Sequence, residues 1–239
     1  MKNKVAIVSG ASSGIGLDIT RTLLAQGYSV VGVSRSASRR GTLVPSSKLT
    51  VLEGDVASRE TAVAAVQVAL SRFDRLDLLV NNAGLFIAKP FIEYSAEDYS
   101  ALLATNLAGF FHLTQAALPH FIDRRSGHVV NIGTSLASQP VAGVTAALPI
   151  LLKGGIEAAT RALAIEYAPQ HIRINTVSAG AIDTPMHPKE SHAFLRGLSP
   201  AQRLGTVEEI SAAVLYLDAA EFVSGEVLHV DGGAHAGRW

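Results

Sequence analysis

A glycine-rich stretch near the start of the chain has the residue types that phosphate binding needs. It reads SGASSGIG over Ser9–Gly16 and follows a short apolar run, VAIVS. Gly10, Gly14 and Gly16 allow a sharp turn and a close approach of the backbone to a pyrophosphate, and a following helix offers free N–H groups. Many strand-to-helix turns contain glycine, so it is the position after a first strand that predicts a dinucleotide-binding loop.

The second apolar run ends in VSRSASRR. In a dinucleotide-binding fold the end of this strand meets the adenosine ribose, and the residues there distinguish NADP from NAD. An acidic residue here would accept hydrogen bonds from a free ribose 2′-hydroxyl and repel a 2′-phosphate. The chain has Ser34 and Arg35 instead, followed by Arg39 and Arg40. Arginine can hold a phosphate through paired, charge-assisted hydrogen bonds, although a solvated basic loop is the alternative. The sequence therefore predicts NADP as the cofactor, with NAD as the alternative and Arg35 as a contact.

Short apolar runs alternate with longer helical patterns along the chain. The glycine-rich loop and the VSRSASRR segment each follow one of these runs, so the runs determine where the two segments lie. Several runs are apolar at consecutive positions, as expected for a parallel sheet covered by helices on both faces. The predicted strands are Val5–Ser9, Tyr28–Ser34, Leu49–Asp55, Leu76–Asn82, Gly127–Gly133, Ile172–Ser178 and Glu226–Gly232. The predicted helices include Thr61–Arg72, Ala101–Phe121, Gly155–Ala168 and Val207–Leu217. This alternation predicts an α/β fold in which residues 1–239 form a single-domain, Rossmann-type, doubly wound parallel sheet of about seven strands.

Composition narrows the function classes. Of 239 residues, 48% are hydrophobic and 17% charged, which favours a large ordered core. The 20 basic and 20 acidic residues balance, so neither nucleic acid nor an anionic membrane is an expected partner. With no cysteine, disulfides, thiolate catalysis and cysteine-bound metals are excluded, and no metal site is predicted. The N-terminal apolar run is too short for a signal peptide or a membrane span, so a cytoplasmic protein is expected.

Six motifs, in this order, resemble the short-chain dehydrogenase/reductase family over essentially the whole chain. They are SGASSGIG, GDV (Gly54–Val56), NNAG (Asn81–Gly84), TNLAGFFHLTQAALPHF (Thr105–Phe121), IRINTVSAGAIDTPM (Ile172–Met186) and SGEVLHVDGG (Ser224–Gly233). The resemblance implies a three-layered α/β/α fold, often assembled as dimers or tetramers through long central helices. It also implies hydride transfer between a nicotinamide and a carbonyl or alcohol carbon.

The resemblance assigns roles to particular residues. In the family a serine polarises the substrate oxygen, a tyrosine transfers the proton, a lysine four residues later lowers the pKa of that tyrosine, and an asparagine supports a water connected to the lysine. The implied catalytic residues of this chain are Asn106, Ser135 and Lys153. The implied cofactor contacts are Gly10, Ser12, Ser13, Gly14, Ile15, Gly16, Arg35, Asp55, Val56, Asn82, Ala83, Gly84, Lys153, Ile182 and Thr184.

The chain departs from the family where the tyrosine is expected. Counting back four residues from Lys153 gives Pro149, and no tyrosine lies between Asn106 and Lys153. Proline fits the first turn of a helix, where its missing N–H would be unpaired anyway, so the fold tolerates the change. Ser135 is one residue farther from the tyrosine position than usual and is either the polarising hydroxyl or a loop hydroxyl that caps a turn.

Other groups could transfer the proton. The segment at about 180–202 lacks periodicity and is predicted to form a substrate lid. Histidine titrates in the required range, but a lid histidine is more often solvated or in contact with substrate than catalytic. The candidates are His187 and His192 in this lid and Lys153 acting through water. Tyr94 and Tyr99, after the fourth strand, are expected on a helix at the subunit surface or pocket rim, and Asp183 is expected to order its loop.

The sequence favours an NADP-dependent oxidoreductase with an altered proton path. Phe86, Ile87, Phe91 and Met186 suggest a small, largely apolar carbonyl or alcohol substrate. The alternatives are a nucleotide-binding sensor or structural partner subunit, or an elimination or isomerisation that needs no phenol. The positive mean hydropathy of +0.29 and the resemblance together predict a homo-tetramer or homo-dimer.

Overall fold

The strands form one parallel sheet in the order β3-β2-β1-β4-β5-β6-β7. The computed structural model describes residues 4–35 and 42–237, so Arg39 and Arg40 lie outside the described residues. The strands are β1 (Val5–Ser9), β2 (Ser29–Ser34), β3 (Leu49–Glu53), β4 (Leu78–Asn81), β5 (Gly127–Thr134), β6 (Ile172–Ala179) and β7 (Val227–Val230). The doubly wound parallel sheet expected from the sequence is confirmed, with strand ends shifted by up to two residues.

The helical runs are longer than the predicted segments. They are α1 (Gly14–Ala25), α2 (Arg59–Phe73), α3 (Ala96–Leu102), α4 (Gly109–Arg124), α5 (Ala147–Tyr167), α6 (His192–Arg196) and α7 (Val207–Ala219). A π-helical segment, Leu103–Ala108, joins α3 to α4. The helix expected at Ala101 begins at Ala96, because Ser95 and Asp98 form a capping box there. The helix expected at Gly155 begins at Ala147, since Pro149 lies in its first turn, where no N–H is needed.

Alternate residues of each strand feed two separate cores. In β1, Val5 and Ile7 face one core, which α2, α4 and α5 cover. Ala6 and Val8 face the other, which α1 and α7 cover. This arrangement explains why the strands are apolar at consecutive positions, since both faces of the sheet are buried.

In the described part of the chain, one helical run, Ala96–Arg124, is long and apolar enough to span a membrane. Its α4 section places Leu113, Ala117 and Phe121 in the core of the sheet. Core helices of globular proteins can have the same length and composition, so these two properties are weak evidence for a membrane segment.

A buried charge network lies at the amino ends of the strands, opposite the loops that carry the sequence motifs. Asp218 of α7 accepts hydrogen bonds from Lys4 (2.7 Å), Tyr28 (2.5 Å) and His128 Nδ1 (3.1 Å). Burial alone would raise the pKa of Asp218, but these donors outweigh it and hold the pKa below its usual range. His128 Nε2 accepts from Asn175 Nδ2 at 3.0 Å, so the ring is fully bonded in its neutral form.

Candidate functional site

A cavity of about 630 Å³ opens at the carboxyl ends of β1, β2, β4, β5 and β6. Ligands of open α/β sheets bind at this edge, where the strand order reverses. The predicted site residues on its wall are Gly10, Ser12, Ser13, Gly14, Ile15, Arg35, Asp55, Val56, Asn82, Ala83, Gly84, Ser135, Lys153, Ile182 and Thr184. Two predicted residues, Gly16 and Asn106, do not line it. The sequence thus brings most of its candidate residues to one place.

The glycine loop is shaped by positions that admit no side chain. Gly10 has φ +68° and a Cβ there would lie 2.8 Å from Asn82 Nδ2. Gly14 also has positive φ, +51°. Gly16 lies inside α1, where a Cβ would meet the Gly10 carbonyl oxygen at 2.3 Å, so its role is close packing rather than contact with the cavity.

The amino terminus of α1 is available to an anion. Its N-cap residue, Ser13, makes no capping hydrogen bond from its side chain, and the first turn contains no acidic residue. Such an end presents free N–H groups and the positive end of the helix dipole to the cavity. Backbone and helix end together therefore fit the pyrophosphate of a dinucleotide.

The loops after β1 and β4 are joined by one serine. Ser9 Oγ accepts hydrogen bonds from the backbone N–H groups of Asn82 (2.9 Å) and Ala83 (3.0 Å). Asn82 Nδ2 donates in return to the Ser9 carbonyl at 2.9 Å. These bonds fix the Asn82–Gly84 wall of the cavity against the glycine loop.

At the end of β2, Arg35 is exposed and lines the cavity. Beside it Ser12 Oγ and Ser34 Oγ are 2.6 Å apart, and Thr42 Oγ1 donates to the Ser12 carbonyl at 3.0 Å. Asp55 lies on the same part of the wall, with Oδ1 accepting from Ala57 N at 2.9 Å. The end of the cavity next to β2 and β3 therefore presents hydroxyls, one guanidinium and the carboxylate of Asp55.

Lys153 lies at the other end of the cavity. Its Nζ donates to the Ile132 carbonyl oxygen at 2.7 Å, and a Cβ on Gly84 would approach it to 3.4 Å. Burial lowers the pKa of Lys153 to about 8, and the charge of Glu157 opposes this only in part. Burial also raises the pKa of Glu157, whose Oε1 accepts a hydrogen bond from Ser178 at 3.1 Å.

Asn106 lies in the π-helical segment and is 2% exposed. Its Oδ1 accepts from Leu85 N at 2.7 Å and its Nδ2 donates to Leu85 O at 2.9 Å. Asn106 and Lys153 both border a second, small cavity of about 10 Å³. Asn81 also borders it, and Asn81 Oδ1 is buried without a hydrogen-bond partner. This volume and the unpaired oxygen suit one buried water.

The tyrosine position is occupied by a buried proline. Pro149 is the third residue of α5, four residues before Lys153. In the part of the chain that the structure describes, no tyrosine lines the large cavity. Ser135 does line it; its side chain is buried, and no hydrogen bond from its hydroxyl to a described residue is found. A serine and a lysine thus line the same cavity, and no described tyrosine lines it with them.

The proposed substitutes for the phenol separate into two groups. Lys153 and His187 line the cavity. The other candidates do not line the cavity. The Tyr94 hydroxyl donates a hydrogen bond to the Ile87 carbonyl oxygen (2.7 Å), and Tyr99 is half exposed. His192 Nε2 contacts the His187 carbonyl oxygen (3.0 Å), and the Asp183 side chain is 66% exposed.

The apolar wall differs in part from the predicted one. Phe86 and Met186 line the cavity, but Ile87 packs in a small core beside Leu148, and Phe91 points outward with 68% exposure. The wall also contains apolar residues that were not predicted from the sequence, which are Leu136, Val141, Val144, Phe194, Leu195 and Leu198. Their position in the segments that follow β5 and β6 is the signal that could have identified them, because segments after these strand ends form the ligand crevice.

Comparisons with known proteins show which proteins the chain is similar to. A family model described as enoyl-(acyl carrier protein) reductase matches residues 10–235. The chain is 36% identical over 244 residues to the putative ketoacyl reductase 2 of the granaticin polyketide synthase from Streptomyces violaceoruber, covering 97% of this chain and 96% of that protein.

Two solved structures extend the comparison. The 3-ketoacyl-(acyl-carrier-protein) reductase from Brucella melitensis, complexed with NADH, superposes with a TM-score of 0.91 at 28% identity, covering 98% of this chain and 99% of that one. ElxO with NADP bound superposes with a TM-score of 0.90 at 27% identity, covering 99% and 100%.

Proposed function

Because the chain belongs to the short-chain dehydrogenase/reductase family, we propose that it is an NADP(H)-dependent oxidoreductase with an altered proton path. Its substrate is a small, largely apolar carbonyl compound or the corresponding alcohol. The observation that carries the proposal is the continuous cavity that joins the free end of α1 and Arg35 to Ser135 and Lys153.

The residues of the wall fit the cofactor. The amino terminus of α1 and the glycine loop would hold the pyrophosphate, and Arg35 with Ser12 and Ser34 would hold the adenosine ribose and its 2′-phosphate. Asp55 and Val56 would contact the adenine, and Ile182 and Thr184 the nicotinamide amide. When bound, the nicotinamide supplies or accepts a hydride.

The end of the cavity that contains Ser135 and Lys153 would polarise a carbonyl. Ser135 offers a hydroxyl to the substrate oxygen, and Lys153 places an ammonium beside it and beside the nicotinamide ribose. Asn106 fixes the Leu85 backbone and thereby the wall that faces Lys153. A donated hydrogen bond and a nearby positive charge both stabilise the negative charge that develops on oxygen during reduction.

The substrate class follows from the apolar wall. Phe86, Leu136, Val141, Met186 and Phe194 line the cavity. Phe194 lies on the short helix α6 within the segment at about 180–202, which we propose is a substrate lid. Many residues of this segment border the cavity, so closure would exclude water from the carbonyl.

A catalytically impaired nucleotide-binding sensor or partner subunit is the second candidate. The buried Pro149 favours it, because the phosphate-binding end is complete while the proton donor of the family is missing. Cofactor binding without turnover would be its signature.

The test separates binding from chemistry. The melting temperature with NADPH and with NADH reports binding, and the absorbance of the reduced cofactor reports turnover against aldehydes, ketones and diketones. We expect stabilisation by NADPH and turnover that Lys153→Ala abolishes and that the exposed control Lys48→Ala retains. Binding without turnover across the panel would favour the sensor, and no binding of either nucleotide would refute both candidates.

We further propose that the protein self-associates through its long central helices. Tyr99, Phe111, Ile122 and Leu151 are large apolar or aromatic side chains on α3, α4 and α5 that remain exposed. Burial of such side chains drives association. Light scattering should give a dimer or tetramer mass, and Phe111→Glu should lower it; a monomeric wild type would refute the proposal.

A further inference from the structure

The large cavity contains few groups that can carry a proton. Among the described residues of its wall, the ionisable side chains are Arg35, Asp55, Lys153 and His187. Arg35 and Asp55 lie after β2 and β3, at the end assigned to the adenosine. Lys153 and His187 are therefore the protein groups left to exchange a proton with a substrate carbonyl.

Lys153 is already engaged. It donates a hydrogen bond to the Ile132 carbonyl, lies close to Gly84 and is assigned to the nicotinamide ribose. An ammonium that gave up its proton would lose the charge that these contacts and the developing oxyanion need. Lys153 is therefore better suited to electrostatic stabilisation than to proton transfer.

His187 is held in one tautomer by the backbone. Its Nδ1 lies 2.7 Å from the Ile182 carbonyl oxygen. A carbonyl oxygen only accepts hydrogen bonds, so Nδ1 carries a proton in every charge state of the ring. Nε2 makes no hydrogen bond to any residue in 4–35 or 42–237 and is the nitrogen that can gain or lose a proton.

His187 is also tied by hydrogen bonds to the segment that contains Ile182 and Thr184. The His187 backbone N–H donates to the Thr184 carbonyl at 2.9 Å, and Nδ1 is bonded to Ile182. These are the two residues assigned to the nicotinamide amide. His192 Nε2 donates to the His187 carbonyl at 3.0 Å, which holds the turn from the other side. A histidine fixed at Nδ1 with Nε2 free has the arrangement of a general acid or base.

We propose that His187 is the proton donor that replaces the missing tyrosine, acting through Nε2. The inference rests on the proposed oxidoreductase function. When a hydride adds to the carbonyl carbon, the C=O π pair moves to the oxygen, and the Nε2 proton transfers to that oxygen to give the alcohol. The ring becomes neutral, keeps its Nδ1–H bond to Ile182, and takes up a proton from water before the next turnover.

The first test is chemical rescue. His187→Ala should lower the turnover number for carbonyl reduction about 100-fold or more, as loss of a positioned acid does. Added imidazole should recover at least about tenfold of this, because a free imidazole can occupy the space and donate. The dissociation constant for NADPH should change by less than about threefold, since the pyrophosphate and ribose contacts remain.

His171→Asn is the matched control. His171 is exposed and precedes β6, at the edge of the sheet opposite the cavity, and has φ +58°, which asparagine also adopts. It should keep wild-type turnover.

The second test needs no substrate. In the protein without cofactor, ¹⁵N-histidine NMR, assigned with His187→Gln, should show the Nδ1–H tautomer for His187 when the ring is neutral. The Nε2–H tautomer would overturn the proposal, and so would unchanged turnover in His187→Ala or a loss that imidazole does not rescue. A wild type that binds NADPH but reduces no carbonyl would overturn the proposed function and this inference with it.

Discussion

Asn106 holds both backbone polar groups of Leu85, with Oδ1 2.7 Å from the amide nitrogen and Nδ2 2.9 Å from the carbonyl oxygen. Leu85 follows Gly84, where a Cβ would lie 3.3 Å from Asn106 Oδ1 and 3.4 Å from Lys153 Nζ. The π-helical segment that carries Asn106 is thus tied to the cavity wall facing the lysine. π-Helical turns often occur at functional positions, and this one places the buried side-chain amide of Asn106 against the Leu85 backbone.

Asn106→Ala should destabilise the protein and loosen this wall. It removes two hydrogen bonds from the partly buried Leu85 backbone, each of which contributes about 0.5–1.5 kcal/mol. Urea denaturation should show the loss, and NADPH titration should show weaker binding. Gln115→Ala, an exposed amide on α4, should change the free energy of unfolding by less than about 0.5 kcal/mol. Equal stability of both variants would contradict the role of the Leu85 contact.

Arg35→Ala should weaken NADPH binding and leave NADH binding nearly unchanged. Arg35 is exposed at the end of β2 and lines the cavity, so its guanidinium is free to pair with a 2′-phosphate that NADH lacks. A charge-assisted hydrogen bond contributes about 1.5–3 kcal/mol, which corresponds to roughly 10- to 150-fold in the dissociation constant. Arg59→Ala, at the exposed start of α2, is the control. Equal or better wild-type affinity for NADH would remove Arg35 from the cofactor site.

NADPH binding should weaken as the pH rises through about 8. Burial lowers the pKa of Lys153 to about 8, so the ammonium is present below that pH and is lost above it. If only the charged form binds the ribose, the dissociation constant rises by at most about tenfold per pH unit above the pKa. Fluorescence titration at pH 7, 8 and 9 should show this for wild type and for Lys48→Met. NADPH binding to Lys153→Met should be weak and should not change between pH 7 and 9. If binding to this variant still changed with pH, the titrating group would be another residue.

The fold could be predicted from the sequence because its signals are local and repeated. Runs such as VAIVS are apolar at every position, and only a sheet covered on both faces buries all of them. The start of α5 at Ala147 could not be predicted. The Gly154–Gly155 pair argues locally against a helix, and packing of Leu148 and Leu152 in a small core overrides it.

The site was predictable where one residue type is required by geometry. Gly10 has a positive φ and a Cβ there would lie 2.8 Å from Asn82 Nδ2, so glycine in this loop indicated the cavity directly. Side-chain direction was not predictable. Ile87 and Phe91 lie next to Phe86 in sequence, yet one is in a core and the other faces outward. The bond between His187 Nδ1 and Ile182 likewise depends on how the segment folds back on itself.

The protein should lose stability as the pH falls from about 6.5 toward 4. Burial lowers the pKa of His128 to about 4, despite the bond to Asp218, while an unfolded histidine has a pKa near 6.5. Between these values the unfolded state binds more protons, so the free energy of unfolding falls by on the order of 3 kcal/mol. Protonated Nε2 would also face the donor Asn175 Nδ2.

Urea denaturation at pH 7, 6, 5 and 4.5 should show this slope in wild type and in His171→Asn. His128→Asn should be less stable at pH 7, and its slope over this range should be shallower. An unchanged slope in His128→Asn would mean that other groups govern acid unfolding.

A tyrosine at position 149 should make His187 less important. Residues four apart share a helix face, so Pro149→Tyr would place a phenol one turn before Lys153, where the ammonium favours its ionised form. Pro149 is buried, and the larger ring should cost about 1–3 kcal/mol of stability. In the His187→Ala background, Pro149→Tyr should still raise turnover by at least about tenfold, since a positioned acid contributes about 100- to 10,000-fold. Pro149→Phe in the same background has nearly the same shape without the hydroxyl and should give no gain. Equal gains from both variants would mean that packing, rather than proton transfer, limits the reaction.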